Sequence, residues 1–296
     1  MKKAKWIPLA ALVGGLAGLV ARRFYWRTAF EPDTGLPISG TTSEAVMWVL
    51  SLVVALVLLF LSCGKHQDFG KRYGAAFAPR GFVGRTAMLA GAFLFMAAAV
   101  LNVWGFFGGT KDALGQRSVG VVHLVLAAVA LMAGLVVVAI TTSLSKGQEP
   151  RRVLLPLPGF VGCVWVMASY QEWARCPITG NYYLELLALL VAMVACALLA
   201  AFGFDKGKVG GALFFAGEGA AFCIMILGDG LPLYDVAMAL GMVFYLLSMS
   251  EALAHNDGIP LPPLPSPPPS CDSGTCAGCP SAAPDGSCPS APQNQG

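Results

Sequence analysis

The sequence predicts an all-α integral membrane protein, with eight transmembrane helices as two parallel four-helix repeats and a disordered proline- and cysteine-rich C-terminal tail. Three observations lead there. First, 56% of the residues are hydrophobic and only 12% are charged, with a mean hydropathy of +0.69; a soluble domain carries about a quarter charged residues. Second, the apolar residues gather in runs of roughly 17 to 25, the length that crosses a ~30 Å hydrocarbon core as a helix. A helix also satisfies its own backbone hydrogen bonds there. Third, one pattern of polar landmarks occurs twice.

The first copy of that pattern contains Pro8-Leu9, Val13-Gly14, Arg27, the turn Pro32-Asp33-Thr34-Gly35, Glu44 and Lys65. The second contains Pro156-Leu157, Val161-Gly162, Arg175, Pro177-Ile178-Thr179-Gly180, Glu185 and Lys206. The offset is 148 residues as far as Arg27, 145 through the turn, and 141 from Glu44 to Lys65. It changes only where loops shorten, as expected of a duplicated membrane unit.

Taken in order, the chain opens with Lys2, Lys3 and Lys5 before an apolar stretch from Trp6 to Ala21. A basic start and a short apolar core also describe a signal peptide. The second copy of this stretch, Leu155 to Tyr170, lies deep in the chain, so Trp6 to Ala21 is expected to be a retained first helix. Further apolar runs cover 45–63, 86–107, 119–142, 153–170, 184–203, 210–228 and 233–250. Four helices per copy give both copies one orientation. Residues 1–148 are thus expected to form the first membrane repeat, 149–256 the second, and 257–296 the tail. Thirteen Lys and Arg residues fall on the N-terminal side of the helices and six on the other. The positive-inside rule then places both termini in the cytoplasm of a multi-pass protein of the cell (plasma) membrane. The net charge of +3 sits in loops, which points to orientation and not to nucleic acid. The longest loops, 22–44 and 64–85, have roughly twenty residues each, too few for a catalytic head.

Several polar residues are candidates for binding. Arg27 and Arg175 are expected to end the first helix of each repeat on the outer side, and Glu44 and Glu185 to begin the second. Acid at a helix N-terminus suits the helix macrodipole by about 0.3–1 kcal/mol; the same four residues also make an outer rim able to hold a solute or an ion. Glu218 is different, because it interrupts the middle of an apolar run, in Ala216-Gly217-Glu218-Gly219-Ala220. A carboxylate there costs on the order of 2.5–3.5 kcal/mol on insertion scales, so it is expected to face protein. It is either a hydrogen-bonded structural acid or a functional one that exchanges a proton or cation. The matching stretch of the first repeat, around Phe93 to Met96, has no acid. His123, Asp235 and Asn102 lie near outer helix ends, facing either a polar vestibule or lipid headgroups.

With three histidines, His66, His123 and His255, paired axial ligands for haem are not provided. No phosphate loop, zinc-binding His-Glu-x-x-His or nucleophile elbow occurs. The tail has a polyproline-like spacer, Pro260 to Pro269, and then Cys271, Cys276, Cys279 and Cys288. The nine residues Cys271 to Cys279 resemble the cluster loop of plant-type ferredoxins in their cysteine spacing, and the resemblance implies iron–sulfur ligation. The fourth cysteine follows sooner than in that family. Four thiolates also suit tetrahedral zinc, and a reduced, metal-free tail is the third alternative.

Two readings of function follow. One is a small-solute carrier or permease, with Glu218 coupling to protons or another cation. The other is a non-transporting membrane subunit: an assembly or sensory component, or a quinone-interacting anchor of an electron-transfer complex. The expected partners are the lipid bilayer, a small polar solute or protons, and a membrane protein in the second reading.

Overall fold

The computed structural model describes residues 3–31, 38, 40–70, 72–79, 81–108, 120–173 and 183–259. These residues are helical throughout their regular structure, with no strand, and eight of the helices are long and apolar enough to cross a membrane. The helices are α1 (Ile7–Thr28), α2 (Thr42–Ser62), α3 (Tyr73–Phe77), α4 (Phe82–Gly108), α5 (Val122–Ser145), α6 (Leu157–Trp173), α7 (Tyr183–Ala201), α8 (Val209–Ile226) and α9 (Leu233–Asn256). All but α3 are candidate spans. Met1–Ile259 forms one compact unit. Cys271, Cys276, Cys279 and Cys288 lie outside the described residues, as does Arg175.

The spanning helices run alternately up and down. Gly18 of α1 lies against Met225 of α8, and Arg22 against Gly228 beyond it, so these two helices are parallel. Gly159 near the start of α6 meets Cys196 near the end of α7, so this pair is antiparallel. One end of the bundle therefore holds Asp229 and the other Asp257.

Burial separates the helices sharply. In α8 and α9 most of the spanning residues are buried, against a minority in α1 and α2. α8 and α9 thus form the centre. Helices α4, α5, α6, α7, α8 and α9 pack in succession and close into a ring where α9 crosses α4. The α1–α2 hairpin docks on α8. In the proposed duplication α7–α8 corresponds to α2–α4; the first pair packs closely, whereas α2 and α4 make no extensive contact.

The Asp257 end is plugged by a short helix that periodicity does not reveal. The five residues of α3 bury Tyr73, Ala76 and Phe77, and the ring of Phe77 packs edge-on against Phe202 with centroids 5.1 Å apart. The Glu149 carboxylate accepts from the Gly74 backbone N–H at 2.9 Å. The buried Asn256 amide donates to the Ala76 and Ala78 carbonyls at 2.9 and 3.2 Å. That contact explains why α9 runs six residues past its apolar stretch: Ala252, Leu253, Ala254 and Asn256 remain buried while Glu251 and His255 face out. At the end of α2, His66 Nε2 meets the Ser62 carbonyl at 2.7 Å, so the side chain occupies one of the carbonyls that a helix end leaves free.

Candidate functional site

α8 has one Asp, Glu, Lys, Arg or His in its regular α-helix, and it lies half-way along. Glu218 is 4% exposed, and its Oε2 is buried without a hydrogen-bond partner among the described residues. Its glycine neighbours show what surrounds it. A methyl group on Gly217 would stand 3.0 Å from Ile7 of α1 and 3.3 Å from Leu58 of α2. One on Gly219 would stand 3.1 Å from both Ala192 of α7 and Leu246 of α9. Successive helix residues turn by about 100°, so Glu218 projects between these two sets of neighbours. Nearer the start of α8, Gly210 faces Ser62 of α2 and Gly211 faces Leu198 of α7. The carboxyl thus occupies the seam between α2 and α7, two helices that make no extensive contact with each other.

Phe214, Phe215 and Phe222 lie at i−4, i−3 and i+4 from Glu218 and share its face of the helix. The rings of Phe214 and Phe215 meet edge-on with centroids 5.1 Å apart. These two are half-buried, and Phe222 is 6% exposed. The seam is therefore closed at the carboxyl and looser toward the α7–α8 turn.

An acid–base pair lies beside each end of α8. At one end the guanidinium of Arg22, 2% exposed, donates through Nε and Nη2 to the two carboxylate oxygens of Asp229. The Trp26 indole N–H donates to Oδ1 of the same carboxylate at 2.8 Å. Arg22 also lies over the rings of Tyr25 and Trp26, 5.1 and 5.4 Å from their centroids. At the other end His66 Nδ1 meets Asp257 Oδ2 at 2.9 Å, and Oδ1 accepts from the Gln67 backbone N–H at 2.8 Å. The edge of the His66 ring lies 3.3 Å from where a methyl group on Gly210 would stand, beside the start of α8. Sequence reasoning missed both pairs. Arg22 is adjacent to Arg23, which reads as a topology signal, and its acid is 207 residues away.

The remaining candidates gather at the Asp229 end. Five of the six ring helices bury a polar side chain within two turns of that end: Asn102, His123, Ser169, Glu185 and Asp235. The Ser169 hydroxyl donates to Glu185 at 3.1 Å. His123 reaches from α5 to α9, where its ring meets Tyr234 edge-on with centroids 5.6 Å apart. Oδ1 of Asn102 and the indole N–H of Trp165 are buried without partners among the described residues. Glu44 is half-buried in the first turn of α2, and Arg27 is exposed in the last turn of α1. Glu218 stands apart from this group, since eleven residues of helix separate it from Asp229, about 16 Å.

An apolar groove of about 700 Å³ between α4 and α5 is lined by Val103, Trp104, Phe107 and Leu131 among others, and it brings together no acid–base groups. No three His, Cys, Asp or Glu side chains among the described residues converge as a metal site would require. Comparison of the chain with protein-family models, with curated proteins and with solved structures gives no match.

Proposed function

We propose that the protein is a small-solute carrier or permease in which Glu218 exchanges a proton or a cation. The observation that carries this reading is the unpartnered, buried oxygen of Glu218 at mid-depth. A buried ion needs a partner, and a carboxyl without one in the protein takes a proton or a mobile cation. The two acid–base pairs support the same reading. One ties α1 to the turn after α8, and the other ties the segment after α2 to the end of α9 beside the start of α8. Both therefore lie at the ends of the bundle, where a carrier must open and close. The buried polar group of Asn102, His123, Ser169, Glu185 and Asp235 would form a polar mouth. In this reading the parallel duplication puts Glu44 and Glu185 on the same side of the membrane.

The expected orientation is Asp229 outside and Asp257 inside, with both chain termini cytoplasmic and the protein in the cell membrane. Reporter fusions at Gly35, Thr110 and Gly180 should then report the outer side, and one at Ser270 the cytoplasm. Cytoplasmic signals at both Gly35 and Gly180 would reverse the assignment.

Glu218 itself is tested by infrared spectroscopy of the purified protein in lipid. The parent should show a protonated-carboxyl band that disappears as pH rises, and Glu218→Gln should lack that band while melting with the parent. A difference spectrum without any titrating carboxyl at Glu218 would remove the coupling group and the carrier reading with it.

A further inference from the structure

We infer that the α2–α7 seam is a binding site for hydrophobic monocations, which enter from the bilayer and exchange with the proton on Glu218. This inference rests on the carrier reading and names its ligand class.

The charge of the ligand follows from what surrounds the carboxyl. Every Asp, Glu, Lys, Arg and His in α1, α2, α7 and α9 lies within about two turns of a helix end. The other titratable side chains near its depth are the buried thiols of Cys223 on α8 and Cys196 on α7 and the phenol of Tyr245 on α9. Ile7, the first residue of α1, lies near that depth, but the lysines just before it, Lys3 and Lys5, are exposed, and Lys3 Nζ lies over the Phe60 ring, 4.4 Å from its centroid. Among the described residues no cation pairs with an ionised Glu218 across the seam. An anionic ligand would add repulsion in a medium where Coulomb energies are large, while one positive charge restores neutrality.

The body of the ligand follows from the walls. Phe214, Phe215 and Phe222 flank the carboxyl on its own face of α8, and Leu58 lies on the α2 side. A strongly hydrated ion or a sugar would lose its water there without polar groups to replace it. A quaternary or protonated amine with apolar substituents loses little, and the phenylalanine faces attract its charge. The half-buried Phe214 and Phe215 mark the looser part of the seam, which opens sideways between two helices and not into the ring. Approach is therefore from the lipid, where such cations already partition.

Stoichiometry follows from charge balance. Protonated Glu218 loses its proton when the cation arrives, so one proton leaves for each monovalent cation bound.

The test uses the full-length protein in nanodiscs of zwitterionic lipid, with tetraphenylphosphonium as the probe. Saturable binding is expected, with about one proton released per probe in weakly buffered solution. Glu218→Gln should weaken binding at least tenfold while retaining the parent's melting temperature. Phe214→Ala and Phe215→Ala should each weaken it by about two- to thirtyfold, the range that 0.5–2 kcal/mol of cation–π energy represents. Absence of saturable binding to the parent would overturn the inference; if the Glu218 infrared band still titrates, the coupling reading survives that failure. Equal binding by parent and Glu218→Gln would overturn it too, because the probe then sits elsewhere.

Discussion

Replacing Arg22 by alanine should cost the folded protein about 3–5 kcal/mol, the range for removing one partner of a buried ion pair. The guanidinium is 2% exposed and spans both oxygens of Asp229. Its loss leaves a buried carboxylate with one remaining side-chain donor among the described residues, the Trp26 indole N–H. It also removes the charge stacked over Tyr25 and Trp26. Unfolding in mixed micelles should show the loss for Arg22→Ala and a similar one for Asp229→Ala. The double variant should be less destabilised than the sum, since it leaves no bare charge behind. Arg27→Ala is the matched control, because Arg27 is exposed one turn further along the same helix. Equal midpoints for Arg22→Ala and Arg27→Ala would show that the pair does not hold α1 to the α8–α9 turn.

Arg22 and Arg27 also show where sequence reasoning stops. Arg27 recurs in the second repeat, so it draws the eye, while Arg22 is only one more positive charge beside a membrane helix. What distinguishes them is a partner more than two hundred residues away. A long-range pair leaves no local period to detect. The spanning helices were legible because bilayer thickness fixes their length. Glu218 was legible because a carboxylate is expensive in the middle of an apolar run. α3 was not legible, because five residues are too few for a helical stripe.

The centre of the bundle was hidden for another physical reason. In a soluble protein the most apolar helix is the most buried, but lipid is as apolar as a protein core and removes that rule. α2 and α5 are the most apolar of the spanning helices, whereas the central α8 and α9 are among the less apolar. What marks α8 as central is its content of small residues. Gly210, Gly211, Ala212, Ala216, Gly217, Gly219, Ala220 and Ala221 let neighbouring backbones approach, which is how helices associate when no hydrophobic force drives them together. Hydropathy reports that a helix crosses the membrane; side-chain size reports how close its neighbours come.

The crossing of α4 and α9 gives the clearest expectation from that argument. A methyl group on Gly91 would stand 3.1 Å from the Gly241 carbonyl oxygen and 3.2 Å from the Tyr245 backbone nitrogen. One on Gly241 would stand 3.3 Å from the Gly91 carbonyl and 3.2 Å from the Phe95 ring. Backbone atoms of one helix cannot rotate away from an added side chain, so the whole crossing must widen. Gly91→Ala should therefore cost about 1–3 kcal/mol, the usual range for overpacking, and Gly91→Leu more than Gly91→Ala. Two comparisons separate the steric effect from the loss of a glycine. Gly64→Ala has nothing within 4 Å of the added methyl group and should leave the unfolding midpoint unchanged. Gly18→Ala meets the side chain of Met225, an unbranched chain that can change rotamer, and should fall between the two. Unfolding midpoints and folded yields in detergent read the order directly. If Gly91→Leu unfolds with the parent, the two backbones do not touch there, and the ring of six helices closes at another point.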